Sequence, residues 1–272
     1  NIVFDWISMS FWKMGVAGAA WATFGSQLAA ALCSVFYLMR RRDEYRLDLS
    51  KIRIYGEILR EILRIGVPAG LQNMVITISN IFVQTAINGF GVDVIAAFTA
   101  YFKIELVLYL PIVAFGQAAT TFVGQNLGAG KWERMKKGVK ACVVMGIIYA
   151  VLAAVLLLIF GRHAFGIFSQ DVSVIEIGLR IIHVTFPFYW LYVILEVHAD
   201  ALRGTGNSLP PMVMILFCMC ILRTLLLFIF TRVWGSLEAV AAVYPCAWVA
   251  AAFCLSACWR RKTRTERGWA PE

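Results

Sequence analysis

Val67-Pro-Ala-Gly-Leu-Gln-Asn-Met-Val-Ile-Thr-Ile-Ser-Asn-Ile-Phe-Val-Gln-Thr-Ala-Ile-Asn-Gly89 is largely apolar and carries a ladder of polar side chains, Asn73, Thr77, Asn80, Gln84 and Asn88. At about 100° per residue these five fall within a sector of roughly 80°, so a helix carries them as one stripe. The next run, Ile95–Val123, is longer than a bilayer needs and places Lys103 and Glu105 deep inside it. It is followed by Gly124-Gln-Asn-Leu-Gly-Ala-Gly-Lys131, which reads as a helix break. A polar stripe facing lipid is costly, so the hairpin from Gly66 to Lys131 is expected to turn its stripe towards protein or water and to line a pathway.

The rest of the chain agrees with a membrane setting. Of 272 residues, 61% are hydrophobic and only 15% charged, whereas soluble domains run at about 45–50% apolar and about 25% charged. Further membrane-length runs lie at 16–39, 139–161, 174–200, 210–231 and 236–259, and Asn1–Ile7 reads as the end of another helix. The fold class is therefore an all-α polytopic membrane protein, with seven complete transmembrane helices and one partial. The net charge of +9 comes from basic residues clustered between apolar runs. Nineteen Lys and Arg fall in the 40–65, 124–140, 201–209 and 260–272 segments, and four on the opposite side. That asymmetry predicts cytoplasmic loops and a cytoplasmic C-terminus, and makes nucleic acid an unneeded partner. The seven cysteines all sit in apolar runs without metal-ligand spacing. The chain opens on Asn1 without a signal peptide and is expected to be a segment of a longer protein.

Four segments follow: 1–39, the end of one helix and a complete one; 40–65, a basic linker; 66–259, a six-helix bundle; and 260–272, a basic tail. The linker is expected to hold a separate amphipathic helix at Tyr55–Ile65, with Pro68 in the first turn of the next helix. Pro111, Pro187 and Pro245 lie inside membrane runs and predict kinks. Gly15–Arg40 and Gly235–Arg260 align without gaps, sharing Gly15/Gly235, Ala19/Ala239, Ala30/Ala250, Ala31/Ala251, Arg40/Arg260 and Arg41/Arg261 just beyond. Such a repeat predicts two parallel bundles, as in many secondary transporters.

Charges near mid-helix cost roughly 2.5–3.5 kcal/mol each on insertion scales, so they pair or line water. Here they are Lys103, Glu105 and Arg223, with Glu196 and Asp200 nearer one end. Lys103 and Glu105 are about 200° apart around the helix and cannot pair; Arg223 is a candidate partner for Glu105 or Glu196. Phe98, Tyr101, Phe102 and Tyr109 put Glu105 in an aromatic stripe, a lining suited to a lipophilic cation. Thr185, Tyr189, Tyr192, Glu196 and Asp200 form a second stripe on 174–200. The candidate binding residues are thus Glu105, Lys103, Asn73, Thr77, Asn80, Gln84, Tyr101, Tyr109, Tyr189, Tyr192, Glu196 and Arg223. The competing reading is a set of buried pairs that only fix helix packing. The helices 67–89, 95–123 and 174–200 are expected to face one cavity, with 139–161 peripheral.

Some motifs do not carry chemistry. Gln125–Lys131 lacks the first glycine and final Ser/Thr of a phosphate loop. In Glu196-Val-His198-Ala-Asp200 the histidine points away from both carboxylates. There is no HExxH and no nucleophile–base pair, so no enzyme, metal or cofactor is expected.

Taken together, Asn1-Ile-Val-Phe-Asp5, Gly15-Val-Ala-Gly-Ala-Ala20, Ile65-Gly-Val-Pro-Ala-Gly-Leu-Gln72, Phe122-Val-Gly-Gln-Asn-Leu-Gly-Ala-Gly-Lys131, Ala201-Leu-Arg-Gly-Thr-Gly-Asn-Ser208 and Tyr244-Pro245 resemble the multidrug and toxic compound extrusion (MATE) family in its DinF-like bacterial branch. The resemblance implies twelve helices in two six-helix lobes in the bacterial inner membrane. It also implies efflux of small lipophilic, often cationic compounds driven by H⁺ or Na⁺ entry. This chain would supply the end of helix 5, helix 6 and the C-terminal lobe, its partner being the N-terminal lobe of the same protein. One branch places a cation-binding glutamate on the first helix of this lobe, where this chain has Asn and Gln; the DinF-like branch assigns the proton to an N-lobe aspartate. The ion is thus open between H⁺ and Na⁺. Alternatives are a lipid-linked precursor flippase of the same superfamily, which would favour a basic cavity, and a membrane-embedded enzyme.

Overall fold

The computed structural model describes residues 1–41, 46–48 and 53–265; most of the 260–272 tail and the centre of the 40–65 linker, Ser50 included, lie outside them. All regular structure there is helical, and seven helices are long and apolar enough to cross a membrane. The chain divides into two compact units, Asn1–Leu59 and Arg60–Glu272.

In the first unit, α1 (Ile2–Ser10) and α2 (Gly15–Arg40) are joined by a short turn. Lys13 and Gly15 both have positive φ there, and Gly18 lets α2 pass close to Ser8.

The second unit is built on α3 (Gly56–Asn88), which begins at the boundary between the units, α4 (Val92–Gly128), α5 (Trp132–Gly166), α6 (Val172–Thr185), α7 (Tyr189–Gly204), α8 (Leu209–Leu216), α9 (Arg223–Val233) and α10 (Leu237–Thr265). The helix expected at Tyr55–Ile65 is not separate: α3 runs through it, so Pro68 is inside a helix and not in its first turn. Glu57 to Ile65 contains only Glu, Ile, Leu and Arg, none of which stops a helix. The break expected from Gly124 falls later, at Ala129–Lys131, where Gly130 takes φ +68°. Asn126 lies in the last turns of α4 and donates to the Phe122 carbonyl at 2.7 Å. The aligned glycines of the sequence repeat, Gly15 and Gly235, share the left-handed conformation, at φ +55° and +58°.

Two prolines shape the bundle. Pro187 divides the 174–200 run into α6 and α7, joined by a 3₁₀ turn at Phe186–Phe188. Pro111 stays within α4 and leaves the Val107 carbonyl without its intrahelical donor. Tyr149 of α5 supplies the replacement, its hydroxyl donating to that carbonyl at 2.5 Å. Between α8 and α9 the chain makes a π-helical turn, Phe217–Leu222.

Glycines bring α4, α5 and α7 together. A Cβ on Gly204 would stand 2.5 Å from the Thr120 carbonyl oxygen, and one on Gly146 would stand 2.6 Å from Val193. Helix α5 buries a narrow stripe, Gly146, Ala150 and Ala154, and turns Met145, Ile148, Leu152 and Leu156 outwards. A helix apolar on its outer face belongs against lipid. Helix α10 is the most enclosed, with Val240, Ala241, Ala247, Ala251 and Leu255 fully buried.

Candidate functional site

Glu105 lies midway along α4, on the face turned towards α7 and α10. Tyr101, one turn earlier on the same helix, places its hydroxyl 3.4 Å from Glu105 Oε1. Tyr189 donates a hydrogen bond to the same oxygen. It can do so because it is the first residue of α7, set by the Pro187 turn. Both tyrosines are fully enclosed, at 0% and 1% exposure. Tyr101 packs against Phe186, with ring centroids 5.8 Å apart. Tyr189 packs edge-on against Trp248 of α10 at 4.9 Å. The carboxylate is thus held by two hydroxyls that aromatic packing cannot easily release.

In front of this group is a cavity of about 300 Å³. Ile76 and Asn80 line it from α3, Phe102, Glu105, Leu106 and Tyr109 from α4, and Tyr189 and Tyr192 from α7. Met219, Arg223, Tyr244 and Trp248 complete it from the π turn, α9 and α10. Tyr192 packs between Tyr109, tilted at 5.9 Å, and Trp248, edge-on at 5.6 Å. Arg223 is only 2% exposed; its Nη2 donates to Ser79 Oγ at 2.7 Å and Asn80 Oδ1 at 2.8 Å. It lies 5.6 Å from the Tyr244 ring centroid. Arg223 makes no ion pair with Glu105 or Glu196 among the described residues, although both were candidates for it.

The structure therefore gathers Asn80, Glu105, Tyr109, Tyr189, Tyr192 and Arg223 around one space, with Tyr101 behind Glu105, and α5 contributes nothing to it. Other sequence candidates fall elsewhere. Lys103 is exposed on the far face of α4. Asn73, Thr77 and Gln84 stay outside the lining. Thr77 donates back to the Asn73 carbonyl at 2.9 Å, and Gln84 to Asn88 Oδ1 at 3.0 Å. The stripe that α3 buries is Pro68, Gln72, Ser79, Val83 and Ile87, roughly 100° around from the polar ladder. Of the ladder, only Asn80, where the two faces meet, reaches the cavity.

Glu196 and Asp200 lie one and two turns beyond Tyr192, towards the Lys131 end of the bundle. They face Gly116 of α4, where a Cβ would overlap the Asp200 carboxylate and come within 3.3 Å of Glu196 Cγ. Asp200 pairs with Arg203, and Arg203 Nη2 also donates to Gln72 Oε1 at 3.1 Å. Thr120 Oγ1 donates to the Asp200 carbonyl at 2.9 Å. This cluster borders a second space of about 640 Å³ between α3, α4 and α7. Sequence reasoning missed this arginine clasp, although Asp200 and Arg203 stand three apart, a helical pair spacing. It also missed Trp248, whose signal was the four-residue step from Tyr244. His183 and His198 each donate Nδ1–H to a carbonyl one turn earlier, at 2.7 Å. Among the described residues no His, Cys, Asp and Glu group could hold a metal.

Comparison with known proteins gives the family and relatives of the chain. The MatE family model matches residues 68–229. The "Probable multidrug resistance protein NorM" of Thermotoga maritima is 27% identical over 217 residues, 78% of this chain and 47% of its own length. The "Probable multidrug resistance protein YpnP" of Bacillus subtilis is 28% identical over 226 residues, 82% of this chain and 50% of its own. The chain spans about half the length of the curated relatives it matches. Among solved structures, the outward-facing conformation of a multidrug resistance MATE family transporter of the MOP superfamily has a TM-score of 0.89 at 21% identity. That match covers 98% of this chain and 60% of that one. A MATE crystal structure in the straight conformation has a TM-score of 0.91 at 21% identity, covering 98% and 61%. With a family model spanning more than half of its residues and seven membrane-length helices on a shared fold, the chain belongs to the MatE family of membrane transporters.

Proposed function

We propose that this chain is the C-terminal lobe of a secondary antiporter that exports small lipophilic, often cationic compounds in exchange for H⁺ or Na⁺. The 40–65 segment would connect it to an N-terminal lobe, and the two would rock against each other around a central site. The excess of Lys and Arg at one end of the helices supports an orientation with those loops and the C-terminus in the cytoplasm of a bacterial cell.

The observation that carries this reading is Glu105, held by two tyrosine hydroxyls at mid-span in an aromatic cavity. A single carboxylate can hold a proton, a metal cation or an organic cation, but only one at a time. Mutually exclusive occupancy is what exchange requires. Tyr109, Tyr192 and Trp248 offer ring faces to an organic cation, so its binding does not rest on one charge alone. One charge crossing 100 mV supplies about 2.3 kcal/mol, enough for a roughly 50-fold gradient at about 1.4 kcal/mol per tenfold. Lys103, on the outer face, has no part in this scheme.

Glu105→Gln in the full-length transporter tests it. The variant keeps shape and removes charge, so membrane expression should stay near normal, export of cationic dyes should be lost and dye binding should depend less on pH. Export at the wild-type rate removes Glu105 from the site. Collapsed expression favours a packing role.

A further inference from the structure

Arg223 is a buried cation with only neutral neighbours. Its Nη2 is shared between Ser79 and Asn80, while Nε is buried with no hydrogen-bond partner. No carboxylate pairs with it among the described residues. A guanidinium in a membrane interior is expensive unless an anion meets it. The planar edge of an arginine matches a carboxylate with two parallel hydrogen bonds, which an ammonium cannot do. The side chain borders the cavity between Tyr244 and Met219, so an anion entering that space would meet the guanidinium with aromatic surface on its flank.

Glu105, on the same lining, accepts from Tyr101 and Tyr189 at Oε1. The two charges do not pair with each other among the described residues, and Arg223 keeps a buried Nε–H with no partner. We propose that Arg223 is an anion-binding residue of the transport cavity, and that the compounds it takes include small aromatic carboxylates. This rests on the cavity being the transport site, but not on Glu105 being the exchange carboxylate. The aromatic walls select a flat apolar body, and Arg223 selects the acid group. A volume of about 300 Å³ has room for a two-ring compound.

The test measures calorimetric binding of naphthalene-2-carboxylate, its uncharged primary amide and 2-naphthylmethylammonium to the full-length protein in lipid nanodiscs. The wild type should bind the carboxylate about tenfold more tightly than the amide, the worth of a charge-assisted pair. Arg223→Gln should erase that gap without weakening ammonium binding, since it removes a like charge from the cavity, and Arg223→Lys should keep part of it. Equal affinity of the wild type for carboxylate and amide overturns the proposal, and needs no variant to fold. A gap that survives Arg223→Gln overturns it too. If the carboxylate preference holds while Glu105→Gln still pumps dye, Arg223 stands and the exchange reading falls. If dye export depends on Glu105 but the preference is absent, the Arg223 assignment falls and the exchange reading stands.

Discussion

Replacing Tyr149 by Phe removes one oxygen from α5, and its cost should depend on a residue of another helix. Pro111 has no N–H, so the Val107 carbonyl four residues earlier loses its α-helical donor, and the Tyr149 hydroxyl at 2.5 Å takes that place. Val107 lies on an outward face, with its side chain 53% exposed, so in a bilayer no water replaces the lost bond. An unsatisfied carbonyl costs about 1–3 kcal/mol, while interhelical hydrogen bonds in membranes average about 0.6 kcal/mol and reach about 1.7. We therefore expect Tyr149→Phe to cost about 1–2 kcal/mol. Pro111→Ala restores the missing N–H and gives Val107 an internal partner. In that background the same Tyr149→Phe change should cost less than about 0.5 kcal/mol. The assay is reversible denaturation of the full-length protein in mixed micelles for all four members of the cycle. Equal costs of Tyr149→Phe in both backgrounds would refute the reasoning, because the hydroxyl would then be serving something other than the proline gap.

Two further changes probe the α4–α7 contact and the clasp beside it. Gly116→Ala puts a methyl into the Asp200 carboxylate and should destabilise by about 1–3 kcal/mol through overpacking; chemical denaturation would show it, and an unchanged midpoint would mean that α7 gives way freely. Gln72→Ala removes the link from Arg203 to α3 and should cost about 0.5–1.5 kcal/mol. It should also raise thiol labelling at a cysteine placed at Ile76, which packs against the core one turn from Gln72, and unchanged labelling would mean that the clasp does not hold α3.

Much of this protein was legible without coordinates because a bilayer imposes a simple rule. Every backbone polar group in the hydrocarbon must be satisfied within the segment, so apolar runs of sufficient length become helices whatever their neighbours. That rule located seven spans, and the family motifs along the chain pointed to its relatives. Helical periodicity grouped Tyr101, Glu105 and Tyr109 on one side of α4, because neighbours on a single helix depend only on spacing.

What one helix shows another was decided by tertiary packing. The polar ladder of α3 and its buried stripe are both regular, and only the bundle chose Gln72, Ser79, Val83 and Ile87 as the buried side, leaving Asn80 as the ladder's one entry to the cavity. Arg223 could have paired with either glutamate by sequence; instead two neutral side chains of α3 hold it. Helix ends moved as well. Glu57 to Ile65 has no stop signal, and the Gly124 region stays helical until Gly130 adopts positive φ. Spacing along a helix is fixed by 3.6 residues per turn. The direction in which that helix is rotated depends on which glycines and small side chains let its neighbours approach, and those belong to other parts of the chain.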